Sequence, residues 1–112
     1  TLDKLKTLVV CDVKNTATTE LADILLPGAA WLEKRGSFTN EKGRVQKFMK
    51  SVETPGAARA EWEILHDIVH SVTGQNGFKS IEGLFNQMAA DVKPLNGITW
   101  SDVGHLGVDI EV

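Results

Sequence analysis

The chain has 112 residues, a formal net charge of −3, 42% hydrophobic residues and 24% charged ones. That length suits one domain with one core, and the near-balanced charge points to neither a nucleic-acid nor a membrane-surface partner. A single cysteine, Cys11, excludes an internal disulfide framework and any multi-cysteine zinc or iron–sulfur site built within this chain.

In chain order, "LKTLVVCDV" (5–13) is a short β-branched apolar run that reads as a buried parallel strand. "NTATTELADI" (15–24) follows, with Asn15 or Thr16 able to cap a short helix whose inner face would carry Leu21 and Ile24. "DILLPG" (23–28) is a second apolar run, stopped by Pro27-Gly28. Strand, helix and strand in that order predict a βαβ unit over residues 1–32, with a parallel sheet and a right-handed crossover. The crossover is short, so the unit calls for neighbouring strands that the sequence does not supply. The start at Thr1, without a methionine and close to a strand, suggests a piece of something longer.

"GSFTNEKGRVQKF" (36–48) predicts a hairpin within residues 36–50. Asn40-Glu41-Lys42-Gly43 suits a type I turn, with Asn at its first position and Gly at its fourth. Phe38 and Thr39 on one side, and Val45 and Phe48 on the other, have strand-forming side chains. Val45 and Phe48 fall on opposite faces of an ideal strand. Arg35, Lys42, Arg44, Lys47 and Lys50 make this the most basic part of the chain, which reads as a solvated, protected edge rather than a phosphate grip.

The helical part is expected over 58–112. Ala58, Trp62, Leu65, Val69 and Val72 recur at helical spacing before Gly74, a stop signal. Ser80 caps a second pattern carrying Ile81, Leu84, Phe85, Met88, Ala89 and Val92, ended by Pro94. A last turn is expected from Thr99 through Leu106, with Asp102 completing a capping box.

Several chemical readings are weak on the residues. "HDIVH" (66–70) places two histidines one helical turn apart, like the zinc-protease HExxH. Its edge is turned away from the apolar stripe, and Asp is shorter than the Glu that such chemistry uses. A solvated flank is the expectation. Cys11 reads as a small core residue rather than a nucleophile, and Trp62 as core. There is no Walker loop and no G-x-G-x-x-G. The longest apolar run, "ILLPGAAWL", is too short and too broken to span a bilayer. No signal-peptide pattern opens the chain.

One long segment carries a resemblance: "VVCDVKNTATTELADILLPGAAWLEKRGSFTNEKGRVQKF", continued by "PGAARAEWEIL" and "NGITWSDVGHLGVDI". It resembles the molybdopterin oxidoreductase superfamily, whose members include formate dehydrogenases and the large iron–sulfur subunit of NADH–quinone oxidoreductase. Asp12, Thr16, Thr18, Ala22, Asp23, Leu26, Pro27, Glu33, Gly36–Asn40 and Arg44–Gln46 fall in register with the family pattern. The resemblance implies part of a Rossmann-like α/β domain, with the hairpin and two to three C-terminal helices, that holds one guanine dinucleotide arm of the pterin cofactor. Carried over position by position, the nucleotide contacts are Asp12, Gly28 and Glu61, and no catalytic or metal-binding residue is expected here. Four positions depart from the family: Cys11 stands for Gln, Ala17 for Glu, Gly28 for Ser and Glu61 for Asp.

Two parents fit. The first is the large iron–sulfur subunit of NADH–quinone oxidoreductase, in which this piece would be a non-catalytic scaffold. The second is a molybdenum or tungsten formate-dehydrogenase-like enzyme, in which it would bind molybdopterin guanine dinucleotide. Both place the iron–sulfur clusters upstream. Both also imply the rest of the parent chain and other subunits of a respiratory or dehydrogenase complex as partners. Neither implies direct membrane insertion, and the location would be cytoplasmic or peripheral to the membrane through the complex.

Overall fold

A computed structural model describes residues 2–111. It shows a mixed α/β chain with two separate sheets, one parallel and one antiparallel. The parallel sheet pairs β1 (Val9–Asp12) with β2 (Ile24–Pro27), in a register that sets Asp12 beside Pro27. Between them lies α1 (Ala17–Glu20), a single turn with Thr16 as N-cap. The Thr16 hydroxyl accepts from the Thr19 N–H at 3.3 Å, and the Thr19 hydroxyl answers from the Thr16 N–H at 2.7 Å. This reciprocal cap satisfies donors that a short helix otherwise leaves open.

The inner face expected of that helix is not there. Leu21 is exposed at the C-cap, Ile24 already opens β2, and the buried residue is Thr19. The cause is the pull of the strand pairing. Asp23 accepts the Leu8 N–H on its carboxylate at 2.8 Å, while the Leu8 carbonyl accepts from Asp23 and Ile24. These bonds draw the chain into the ladder after one helical turn.

After a 3₁₀ turn (Trp31–Glu33), the hairpin joins β3 (Gly36–Thr39) to β4 (Arg44–Phe48). The turn is the expected one. The Gly43 N–H donates to the Asn40 carbonyl at 3.0 Å, and the Asn40 side chain accepts from Lys42 and Arg44. The opposite-face prediction explains the aromatics. Val45 is 1% exposed in the core, whereas Phe48 stacks on Phe38 across the strands at 4.7 Å. A third strand, β5 (Val108–Asp109), pairs antiparallel with β4 and was not foreseen. Gly107 permits its approach: φ is +85°, and a Cβ there would meet the Val45 carbonyl oxygen at 2.5 Å.

Helices α2 (Glu61–Thr73), α3 (Ile81–Asp91) and α4 (Trp100–Val103) complete the order. Gly74 caps α2 in the left-handed region at φ +69°, as a C-terminal glycine should. The Ser80 hydroxyl accepts from the Gly83 N–H, and Thr99 and Asp102 form the expected capping box. The main core joins hairpin to helices through Val45, Phe85, Ala89, Leu95, Trp100 and Val103. Phe85 meets Trp100 edge-on at 5.4 Å, a favourable aromatic geometry.

Helix α2 departs from expectation. Ala58 lies before it, Leu65 is 60% exposed and Val72 79% exposed, and Ile64 is the residue it buries. Its start is held by residues 57–60, which run beside β2: the Arg59 N–H donates to the Pro27 carbonyl and the Ala29 N–H to the Arg59 carbonyl. That anchoring, rather than the stripe, sets which face turns inward. Leu65 and Val69 of the stripe instead line an apolar groove of about 230 Å³ with Phe78 and Leu84. Trp62, expected as core, is half-buried on its rim. The radius of gyration, 16.2 Å, exceeds the roughly 13 Å of a compact domain of this length. Among the described residues, no helix is long and apolar enough to cross a membrane.

Candidate nucleotide site at the carboxyl ends of the parallel strands

Three segments converge where β1 and β2 end. Asp12 closes β1, and its Oδ1 accepts from the Val13 and Lys14 N–H groups at 2.7 and 3.2 Å. These local bonds fix one carboxylate oxygen, and Oδ2 takes no part in them. Gly28 follows β2, and its N–H donates to the Asp12 carbonyl at 3.0 Å. The 57–60 segment adds an isolated parallel bridge between Gly28 and Arg59, which delivers Glu61 as the first residue of α2. A carboxylate at that position also complements the helix dipole.

The structure therefore brings Asp12, Gly28 and Glu61 together. Glu61 Oε1 lies 2.9 Å from where a Cβ on Gly28 would stand, and the Cys11 Sγ lies 3.6 Å from the same point. Three of the departures from the family pattern, Cys11, Gly28 and Glu61, thus meet in space. The Glu61 carboxylate occupies room that a serine side chain at position 28 would take. The other Glu61 oxygen accepts from Lys34, whose side chain is 19% exposed. Lys34 stands 27 residues away in sequence, and nothing in the local pattern singled it out.

Cys11 is exposed, against the expectation of a core residue. It sits on the two-stranded sheet, with its sulfur beside Gly28. Partial burial of its sulfur pushes the thiol above its ordinary value, the charges of Glu61 and Asp12 push the same way, and Lys34 opposes them.

Beside this site a cleft of about 430 Å³ opens between the hairpin, α2 and α3, lined by Lys34, Arg35, Lys50, Arg59 and Lys79 among others. Most of this positive charge is matched. Arg35 pairs with Glu82, Lys50 with Glu53, and Arg59 with Glu63 and Asp67. On the hairpin itself Arg44 binds both oxygens of Asp109, and Lys47 lies over the Trp100 ring at 4.7 Å. The basic hairpin is thus largely a set of exposed pairs, with Arg35 and Lys47 both lying over the Trp100 ring.

The histidines lie elsewhere. His66 and His70 stack at 6.3 Å. The His66 Nδ1 faces Asp67 at 3.3 Å, and the His70 Nδ1 faces the Gln75 carbonyl at 2.9 Å. His70 is on the expected exposed flank, but His66 is half-buried beneath Gly77. Among the described residues, no three His, Cys, Asp or Glu side chains form a group that would hold a metal.

An α/β unit with acids at the carboxyl ends of parallel strands is the arrangement in which open sheets bind nucleotides. The sequence model of the family "Molybdopterin oxidoreductase" matches residues 1–71, and the chain belongs to that family. It is 38% identical over 111 residues to the F420-dependent formate dehydrogenase 1 subunit alpha of Methanococcus maripaludis, covering 96% of this chain and 16% of that one. It is 49% identical over 49 residues to the mitochondrial NADH-ubiquinone oxidoreductase 78 kDa subunit of Neurospora crassa, covering 44% of this chain and 7% of that one. Acetylene hydratase from Pelobacter acetylenicus shares the fold, with a TM-score of 0.69 over 99% of this chain and 15% of that one, at 21% identity. The chain spans about a sixth or less of the length of these relatives.

Proposed function

We propose that this chain is the guanine-dinucleotide-holding part of a molybdenum- or tungsten-dependent, formate-dehydrogenase-like oxidoreductase. The observation that carries the reading is the Glu61 carboxylate standing over Gly28, beside Asp12, at the ends of two parallel strands. The residues fit the group. Guanine presents its N1–H and 2-amino donors side by side, and a carboxylate accepts both; adenine offers no such pair. A second carboxylate suits a ribose hydroxyl, and the missing side chain at Gly28 lets a ligand approach the backbone. When bound, a molybdopterin cofactor supplies a redox-active metal centre. This chain's share is to bind and orient one arm of it, with the metal ligand and iron–sulfur clusters elsewhere in the parent and other subunits around it. The near-complete coverage by formate dehydrogenase alpha subunits supports this parent.

The 49% identity over 49 residues to the 78 kDa subunit supports a second reading, a cofactor-free scaffold in the electron-input arm of NADH–quinone oxidoreductase. Metal and pterin analysis of the native protein carrying this segment separates them. Molybdenum or tungsten with pterin, alongside iron, is expected on the first reading. Iron without either would establish the second.

A further inference from the structure

The Asp12–Gly28–Glu61 arrangement contains a cation that neither the residue pattern nor the family comparison assigns. We infer that Lys34 is a positioning residue for guanine recognition, holding the Glu61 carboxylate over Gly28 as an acceptor for the guanine N1–H and 2-amino group. The inference rests on the nucleotide reading above and adds to it the residue that fixes the acceptor's orientation.

The geometry argues for it in three ways. Lys34 ends the 3₁₀ turn after β2, so it reaches Glu61 from a segment independent of α2. It takes one oxygen of Glu61 and leaves the other over Gly28. A glutamate has three rotatable bonds, and the Lys34 tether selects among them. The obvious substitute is occupied: Arg59, two residues before Glu61, turns to Glu63 and Asp67.

Charge gives the second reason for a lysine here. Asp12 and Glu61 both act on Cys11 with the same sign, and Lys34 acts against them. A planar base laid over the site would strip water from both acids, and a desolvated carboxylate without a cation is costly. Lys34 is itself largely shielded from solvent, so its charge is felt more strongly than that of an exposed pair.

The test uses this 112-residue chain, with GDP and ADP as probes and tryptophan fluorescence to confirm the fold of each variant. Lys34→Met is expected to weaken GDP binding roughly tenfold, the scale for stripping a partner from a part-buried charge. ADP binding should hardly change, so selectivity collapses, and Lys34→Arg should restore most of it. Alkylation of Cys11 as a function of pH supplies a readout that needs no nucleotide. The thiol should titrate higher in Lys34→Met and lower in Glu61→Gln than in the wild type.

Unchanged GDP affinity in Lys34→Met, with a wild type that binds GDP, overturns the inference and leaves the nucleotide site standing. A wild type that binds no GDP overturns both. Identical thiol profiles in all three proteins show that Lys34 does not act on the site at all.

Discussion

The two halves of this molecule are held together by different means. Around the hairpin, Val45, Phe85, Ala89, Leu95, Trp100 and Val103 make a continuous core in which Phe85 is 2% exposed. Around the parallel strands, Val9, Val13, Ile24 and Leu25 stay half-exposed, and burial of apolar side chains is confined to small or isolated residues such as Ala29 and Ile64. The candidate site sits on the second half, built from backbone ladders, an ion pair and a glycine rather than from packed side chains. A binding surface can be set geometrically where little apolar area is buried, because hydrogen-bond direction does the aligning. The stability of such a half rests on few contacts, and it is the half expected to open first.

That contrast can be broken by substitution. Phe85→Ala removes the ring that meets Trp100 and should cost about 3–5 kcal/mol, read from the denaturant midpoint. A loss below about 1 kcal/mol would mean that the hairpin core is not the stabilising one. Gly107→Ala should cost about 2 kcal/mol, since it adds left-handed strain and a collision with the Val45 carbonyl. Hydrogen exchange should then rise at β5 and the facing edge of β4.

Thr99→Ala should cost about 1 kcal/mol by removing the α4 cap. The capping carboxylate adds a pH signature. The Thr99 hydroxyl and N–H hold the Asp102 carboxyl below its ordinary value. Its contribution is therefore complete above roughly pH 4 and is lost as pH falls through the lowered folded value. Asp102→Asn should make acid unfolding less steep in that window, and an unchanged acid limb would remove this cap from the account. The smallest effect belongs to the other half: Val72→Ser on the outer face of α2 should change stability by less than about 0.5 kcal/mol. A larger loss would show that the open face is already covered in solution.

The residues most legible in the sequence were those whose chemistry is local. Thr16, Ser80 and the Thr99–Asp102 pair cap helices within three residues of themselves, and Asn40 and Gly43 close their turn within four. The parallel pairing of β1 and β2 was legible too, because a βαβ order admits little else. Asp12, Gly28 and Glu61 were placed by resemblance, and the structure brings them side by side. Lys34 was not legible, nor was the 57–60 bridge, nor β5, which pairs Arg44 with Asp109.

The α2 stripe shows why. Periodicity reported that Leu65, Val69 and Val72 share a face, and they do. It carried no information about which neighbour that face would meet. The sequence by itself determined strands β1 to β4, the helices with their caps and turns, and the family, because short-range bond geometry and a long register of matched residues need no partner. Only the tertiary structure decided which apolar face is buried, which cation meets Glu61 and how close that carboxylate stands to Gly28. Those contacts join residues far apart in the chain, and their geometry exists only once the strands have paired.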